Sequence, residues 1–316
     1  MFYCYTKYFA IFILIFLTNA VLAASSNSNY KIQHVNEINL LLQRIDPAQV
    51  QANLVRITSL PDRYVNSKSG VQAAQWIKHQ VEKMVIANAR NDVDIYLLPT
   101  INDAKQSSVI LKIGKDLQEP GIVIGAHLDT LESSDEFKPG ADDDASGVVT
   151  VLETARIILN SSLRFKKPIY FIWYAGEEEK KLGSQSVVKE FNQRKIPIDA
   201  VMQLDMVGYI GKDGRGIGLT DDYTDVSLTA YVGDLVATYL KIPSKPVHCG
   251  YMCSDHVTWH QNGNRVVYPF EAMDDDGNPF VHTSEDTLEK ISLDHVIDFV
   301  KLSAAFAVEL GEPLVG

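Results

Sequence analysis

Five side chains able to hold a metal ion each sit just past an apolar run of this chain. They are His127 in "IVIGAHLD", Asp143 in "PGADDDASG", Glu178 in "FIWYAGEEE", Asp205 in "VMQLDM" and His282 in "FVHTSED". Imidazole and carboxylate are ligands that zinc accepts, and one zinc needs only three of them plus water. Five ligands imply two metals that share a bridging carboxylate. Glu177 lies directly beside Glu178. Adjacent residues at a strand end point in different directions, so one can ligate while the other stays free. A free carboxylate there can take a proton from an attacking water and return it to a leaving amine, while two metals roughly 3.5 Å apart polarise the carbonyl. The chemistry is amide hydrolysis. Glu179 continues the run and reads as a solvated residue.

Such a site needs elements that bring distant residues together. Helical spacing is present in "VNEINLLLQRI", "AQVQANLVRITSL", "SGVQAAQWIKHQVEKMV", "DASGVVTVLETARIIL", "GSQSVVKEFNQR", "TDVSLTAYVGDLVATYL" and "LDHVIDFVKLSAAFAVEL". Strand readings fit "VDIYLL", "SSVILKIG", "GIVIGAH", "PIYFIWYA", "AVMQLDM", "GIGLT" and "RVVYPF". Several are apolar throughout, as in strands covered on both faces. The expected fold is α/β: a three-layer sandwich whose mixed, mostly parallel central sheet is flanked by helices. His127, Glu178 and Asp205 then fall at carboxyl ends of buried strands, where open α/β sheets bind ligands. Asp143 comes from the loop before the next helix.

Composition and leader bound the setting. "AIFILIFLTNAVLA", Ala10 to Ala23, is apolar and ends in small residues, which reads as a signal peptide cleaved near Ala23. It falls short of the roughly 20 residues a spanning helix needs. Residues 24–30 read as a polar leader, and 31–316 as a single catalytic domain. Cleavage removes Lys7 and moves the net charge from −11 to −12. No basic run appears, which excludes nucleic acid as a partner. The expected product is a secreted monomer, extracellular or periplasmic, without stable membrane association. Cys4 leaves with the leader, so Cys249 and Cys253 in "HCGYMCSD" remain as an expected disulfide. A five-residue ring stabilises by only roughly 2 kcal/mol. Its role is to fix the shape of the loop that holds Gly250 and Tyr251.

"GAHLD", "PGADDDASG", "AGEE" followed by "LGS", "QLDM", "CGYMCSDH" and "VHTSEDT" together resemble the secreted bacterial leucyl aminopeptidases, from about Pro47 to the carboxyl terminus. Those enzymes are di-zinc exopeptidases of a single α/β domain. The resemblance implies that Asp143 bridges two zinc ions, with His127 and Asp205 on one and Glu178 and His282 on the other. It makes Glu177 the general base and acid, and peptides with a free amino terminus the substrates. Asp129 would orient the ring of His127, the Asp143–Asp144 peptide bond would be cis, and Tyr251 would hydrogen-bond the developing oxyanion.

The chain departs from that pattern in two places. Lys180-Lys181 replaces the usual Gly-Leu pair after "GEE", and Asp274, Asp275 and Asp276 stand where relatives tend to place pocket aromatics. The resemblance suggests a pocket lined by Met206, Leu219, Cys249, Cys253, Tyr268, Phe270 and Val281, which would take the stem of a long amino-terminal side chain. Asp274 to Asp276 would then meet a Lys or Arg head, unless they form a solvated turn. A glutaminyl cyclase-like zinc enzyme is the rival within the fold. A catalytically silent binding ectodomain is the rival from another class.

Overall fold

Capping chemistry starts several helices. Asp46 accepts the N–H groups of Ala48 and Gln49, and Pro47 supplies a helical φ at the first position of its helix. Ser67 accepts the N–H of Gly70, and Asp225 that of Leu228. The computed structural model describes residues 30–133, 137–273 and 277–314. The signal peptide and nearly all of the polar leader expected above lie outside the described residues, as do Asp274, Asp275 and Asp276. In chain order the elements are α1 (Val35–Leu42), α2 (Pro47–Thr58), α3 (Lys68–Ala87), β1 (Val93–Leu98), β2 (Ser108–Ile113) and β3 (Gly121–His127). Next come α4 (Gly147–Leu159), β4 (Ile169–Tyr174), α5 (Leu182–Gln193), β5 (Ile198–Gln203), β6 (Ile217–Thr220) and α6 (Val226–Leu235). The chain ends with β7 (Ser244–Val247), α7 (His256–Gln261), β8 (Val266–Val267), β9 (Pro269–Phe270) and α8 (Leu293–Gly311).

The main sheet runs β1-β2-β4-β3-β5-β8. β1–β2 and β2–β4 pair antiparallel, whereas β3–β4, β3–β5 and β5–β8 pair parallel. Alternation along the central strands divides two cores. Ile169, Phe171 and Trp173 of β4 face the larger core beside Val148, Leu152 and Phe306, which α4 and α8 contribute. Tyr170, Ile172 and Tyr174 face the other, with Val187 and Phe191 of α5 and Trp259 of α7. β3 and β4 are buried along their whole length, which explains why they read as continuous apolar runs rather than alternating ones. This is the sandwich the sequence implied.

A second, smaller sheet runs β7-β6-β9. The run "RVVYPF" is split by it: β8 joins the main sheet and β9 the small one, with Tyr268 at the changeover. β7 escaped the sequence reading because Pro246 interrupts it. A proline is tolerated there since β7 is an edge strand. α7 is six residues long, too short to show a period.

Candidate metal centre

Strand register brings the first ligands together. β3 pairs with β4 so that His127 lies opposite Tyr174, and with β5 so that Gly125 lies opposite Gln203. Two residues further, His127 and Asp205 are therefore neighbours at the carboxyl edge of the sheet. Continuing β4 by three and four residues gives Glu177 and Glu178 at the same edge. The remaining ligands arrive on loops: Asp143 on the turn before α4, and His282 on the segment before α8.

The side chains converge in two groups joined by Asp143. One oxygen of Asp143, Oδ1, lies 2.9 Å from His127 Nε2, and the other, Oδ2, lies 3.1 Å from His282 Nε2. Asp205 Oδ1 is 3.4 Å from His127 Nε2, and Glu178 Oε2 is 3.3 Å from His282 Nε2. The ligand atoms of Asp143, Glu178 and His282 all fall within 4.8 Å of one another. The same spacing joins His127 and Asp205 to Asp144 rather than to Asp143. Hydrogen bonding separates those two aspartates. Asp144 Oδ2 accepts the N–H of His127, and its Oδ1 accepts those of Gly147 and Met206, so this carboxylate is committed to backbone. Asp142 is likewise committed, to Gly208 N–H and the Asn278 amide. Asp143 alone of the three turns its carboxylate toward both histidines. The Asp143–Asp144 peptide bond is cis.

The donor set fits divalent metal. Burial, followed by repulsion from Asp143, pushes the Glu178 carboxyl up to about 7. Burial also pushes Glu177 well up; His127 opposes this, while Asp255, Asp205 and Glu178 add to it. Hydrogen bonds to Asp143 and Glu178 raise His282 to about 10. Without metal, then, Glu177 and Glu178 tend to hold protons, because the buried carboxylates around them outnumber the two imidazoles, Arg63 and Lys181 that face them. Divalent cations would supply the missing charge.

Several supports were not legible as motifs. Asp129 was expected to orient His127; its carboxylate sits 3.6 Å from His127 Nδ1, and its carbonyl oxygen 3.2 Å. The same carboxylate accepts the N–H of Glu177 at 2.9 Å and of Glu178 at 3.1 Å, so one buried group ties the β3 and β4 ends together. Arg63 is fully buried and donates to the carbonyls of Leu128, Pro139 and Gly140, which shapes the loop leading to Asp143. Asp286 accepts the N–H groups of Asp142 and Asp143 and so links the His282 segment to that turn. Ser254 donates to Asp205 Oδ2, and Tyr268 OH donates to the Asp205 carbonyl.

All five ligand candidates except Glu178 and His282 are buried, and a cavity of about 610 Å³ opens onto the cluster. Its wall includes Glu177, Met206, Tyr251, Tyr268, Phe270 and Val281, together with Cys249 and Cys253, which form a disulfide. Leu219 does not reach it. Its side chain packs in the larger core, and the next residue along β6, Thr220, lines the cavity instead. Strand alternation forbids both. Tyr251 stands at the mouth, 67% exposed.

Comparison with known proteins agrees with this geometry. The model for peptidase family M28 matches residues 108–307, which include every ligand candidate. The chain belongs to that family. Leucine aminopeptidase 1 of Aspergillus oryzae is 34% identical over 301 residues, 90% of this chain and 77% of that protein. The solved structure of LapB from Legionella pneumophila is 44% identical, with a TM-score of 0.86 over 90% of this chain and 77% of its own. The Legionella pneumophila LapA aminopeptidase is 40% identical, with the same score and coverage. These likenesses set the chain among the leucyl aminopeptidases, zinc-dependent exopeptidases of the M28 fold. A Bacteroides thetaiotaomicron glutaminyl cyclase has a TM-score of 0.65 at 16% identity and shares the fold alone.

Because zinc binds neutral imidazole and charged carboxylate, its uptake must displace protons. With Glu178 near 7 and His282 near 10 in the metal-free protein, affinity should rise as pH rises through 7 and fall below it. Calorimetric titration of zinc into metal-free protein at pH 7, in buffers of different ionisation enthalpy, should show net proton release.

Proposed function

We propose that this chain is a secreted, monomeric di-zinc aminopeptidase, built as one catalytic domain over residues 31–316. The observation that carries the reading is the Asp143 carboxylate, whose two oxygens face the two histidines. His127 and Asp205 would hold one zinc and Glu178 and His282 the other, with Asp143 shared. Bound zinc supplies acidified water and a polarised carbonyl. Glu177 takes the proton of the attacking water and passes it to the departing amine. In the metal-free protein burial raises its proton affinity, a tendency that favours taking up the proton of water. Asp129 fixes the backbone of Glu177 and Glu178, so the base keeps its place relative to the ligand beside it. Tyr251, at the cavity mouth, would donate to the oxyanion.

Export rests on the apolar segment at Ala10 to Ala23. Among the described residues no helix is long and apolar enough to cross a membrane. Cyclisation of amino-terminal glutamine is the weaker reading, because the ligand set for two metals is complete and Glu177 is in place. The same completeness argues against a silent binding domain.

The substrate's amino-terminal side chain would lie on Met206, Tyr268, Phe270 and Val281. Large apolar residues fit this wall, and so does the stem of lysine or arginine. Phe270 and Gly277, on either side of the acidic run, both line the cavity. That supports a role for Asp274 to Asp276 in meeting a cationic head.

Replacing Glu177 with Gln should leave fold and zinc content intact while turnover of aminoacyl amides falls by about three orders of magnitude or more. Near-native turnover in Glu177→Gln would remove this residue from the reaction. For specificity, Asp274→Asn should lower kcat/KM for lysyl amide relative to leucyl amide by about threefold to tenfold. A leucyl preference that does not respond to Asp274→Asn would end the charged-pocket idea.

A further inference from the structure

The turn that follows Glu177 places two lysines on the wall of the cavity. Lys181 N–H donates to the Glu177 carbonyl at 2.7 Å, and Leu182 N–H to the Gly176 carbonyl at 2.8 Å. Within that turn Lys180 and Lys181 have φ values of 67° and 60°, in the left-handed region that glycine favours. Lysine at both positions goes against local preference, and the backbone is locked by the Gln185 side chain donating to the Lys180 carbonyl at 2.7 Å. Both side chains line the cavity, and they are its only cationic groups besides histidine among the described residues.

The two lysines differ in their engagement. Lys181 Nζ donates to the Met252 carbonyl at 2.9 Å and lies 3.9 Å from Glu177 Oε1. It is held in place, one fifth exposed, and bridges the Glu177 turn to the disulfide loop. Lys180 is exposed at the cavity, and no described residue hydrogen-bonds or ion-pairs its ammonium.

The direction of the substrate follows from the hydrolytic reading above, on which this inference rests. Glu177 has to reach the departing nitrogen, so the second residue of the peptide emerges on the side of the Glu177 turn. The first residue lies against Met206, Phe270 and Val281. Bound zinc would offset the charges of Asp143, Glu178 and Asp205, which removes the carboxylate field that would otherwise repel an anion here. We propose that Lys180, with Lys181 fixed behind it, forms a cationic product-side subsite. It favours peptides whose departing fragment carries a carboxylate near the cleaved bond: an acidic second residue, or the free carboxyl terminus of a dipeptide.

Two peptide pairs with amino-terminal leucine test this on the zinc-loaded enzyme at low salt. Leu-Glu-Ala-amide against Leu-Gln-Ala-amide reads the side-chain source, and Leu-Ala against Leu-Ala-amide reads the terminal source. At least one pair should show a kcat/KM ratio of about threefold to fivefold in favour of the carboxylate. That ratio should shrink in 0.5 M salt, fall to about one in Lys180→Gln, and survive in Lys180→Arg. Ratios near one in both pairs, or a ratio that Lys180→Gln leaves unchanged, would overturn the proposal. Leucyl anilide carries no carboxylate and reads the aminopeptidase reaction by itself. If it is cleaved while both ratios stay near one, only the subsite is lost; if it is not cleaved, the hydrolytic reading fails, and this subsite with it.

Discussion

One carboxylate between two imidazoles sets the geometry of this molecule. Asp143 can face His127 and His282 together only if the carboxyl edge of the sheet, the turn before α4 and the segment before α8 meet within a few ångströms. The parallel pairing of β3 with β4 and β5 provides the edge. The other two elements are loops, which have no ladder to hold them. Hydrogen bonds from buried polar side chains do that work. Three consecutive aspartates divide it: Asp144 accepts the N–H groups of His127 and Met206, Asp142 that of Gly208, and Asp143 is left to face the cavity.

Arg63, Asp129 and Asp286 follow one rule. A buried carboxylate or guanidinium is tolerated only when its hydrogen-bonding capacity is filled. Arg63 fills its capacity with the carbonyls of Leu128, Pro139 and Gly140, and Asp129 with the N–H groups of Glu177 and Glu178. Asp286 does so with the turn at Asp142 and Asp143. Each joins two segments far apart in sequence, so the site is stiffened without secondary structure of its own. Glu178, a candidate ligand, is an exception, since burial and repulsion leave it prone to hold a proton in the metal-free protein.

The sandwich and the candidate ligands that the structure brings together were legible in the chain because strand-end residues and fully apolar strands leave local marks. His127, Glu178 and Asp205 each follow such a strand, and the motif pattern supplied Asp143 and His282. Arg63 left no mark, and Ser254 and Asp286 stood inside quoted motifs without a role being assigned to them. Their types are common on surfaces, and their partners lie far along the chain: backbone groups for Arg63 and Asp286, and the Asp205 carboxylate for Ser254. Leu219 was misplaced for a different reason. Which face of β6 lines the cavity depends on the second sheet, and that sheet depends on β7, whose proline hid it. Asp129 was recognised for its neighbour His127, while its bonds to the Glu177-Glu178 backbone span about fifty residues and had no local signature.

The shared carboxylate is tested most directly by counting bound zinc. Purified native protein, dialysed against trace zinc and measured by elemental analysis, should hold two equivalents per chain. Asp143→Ala should hold well below one, because both sites lose the ligand they share. A native content of one, or a single zinc retained undiminished in Asp143→Ala, would contradict the bridge.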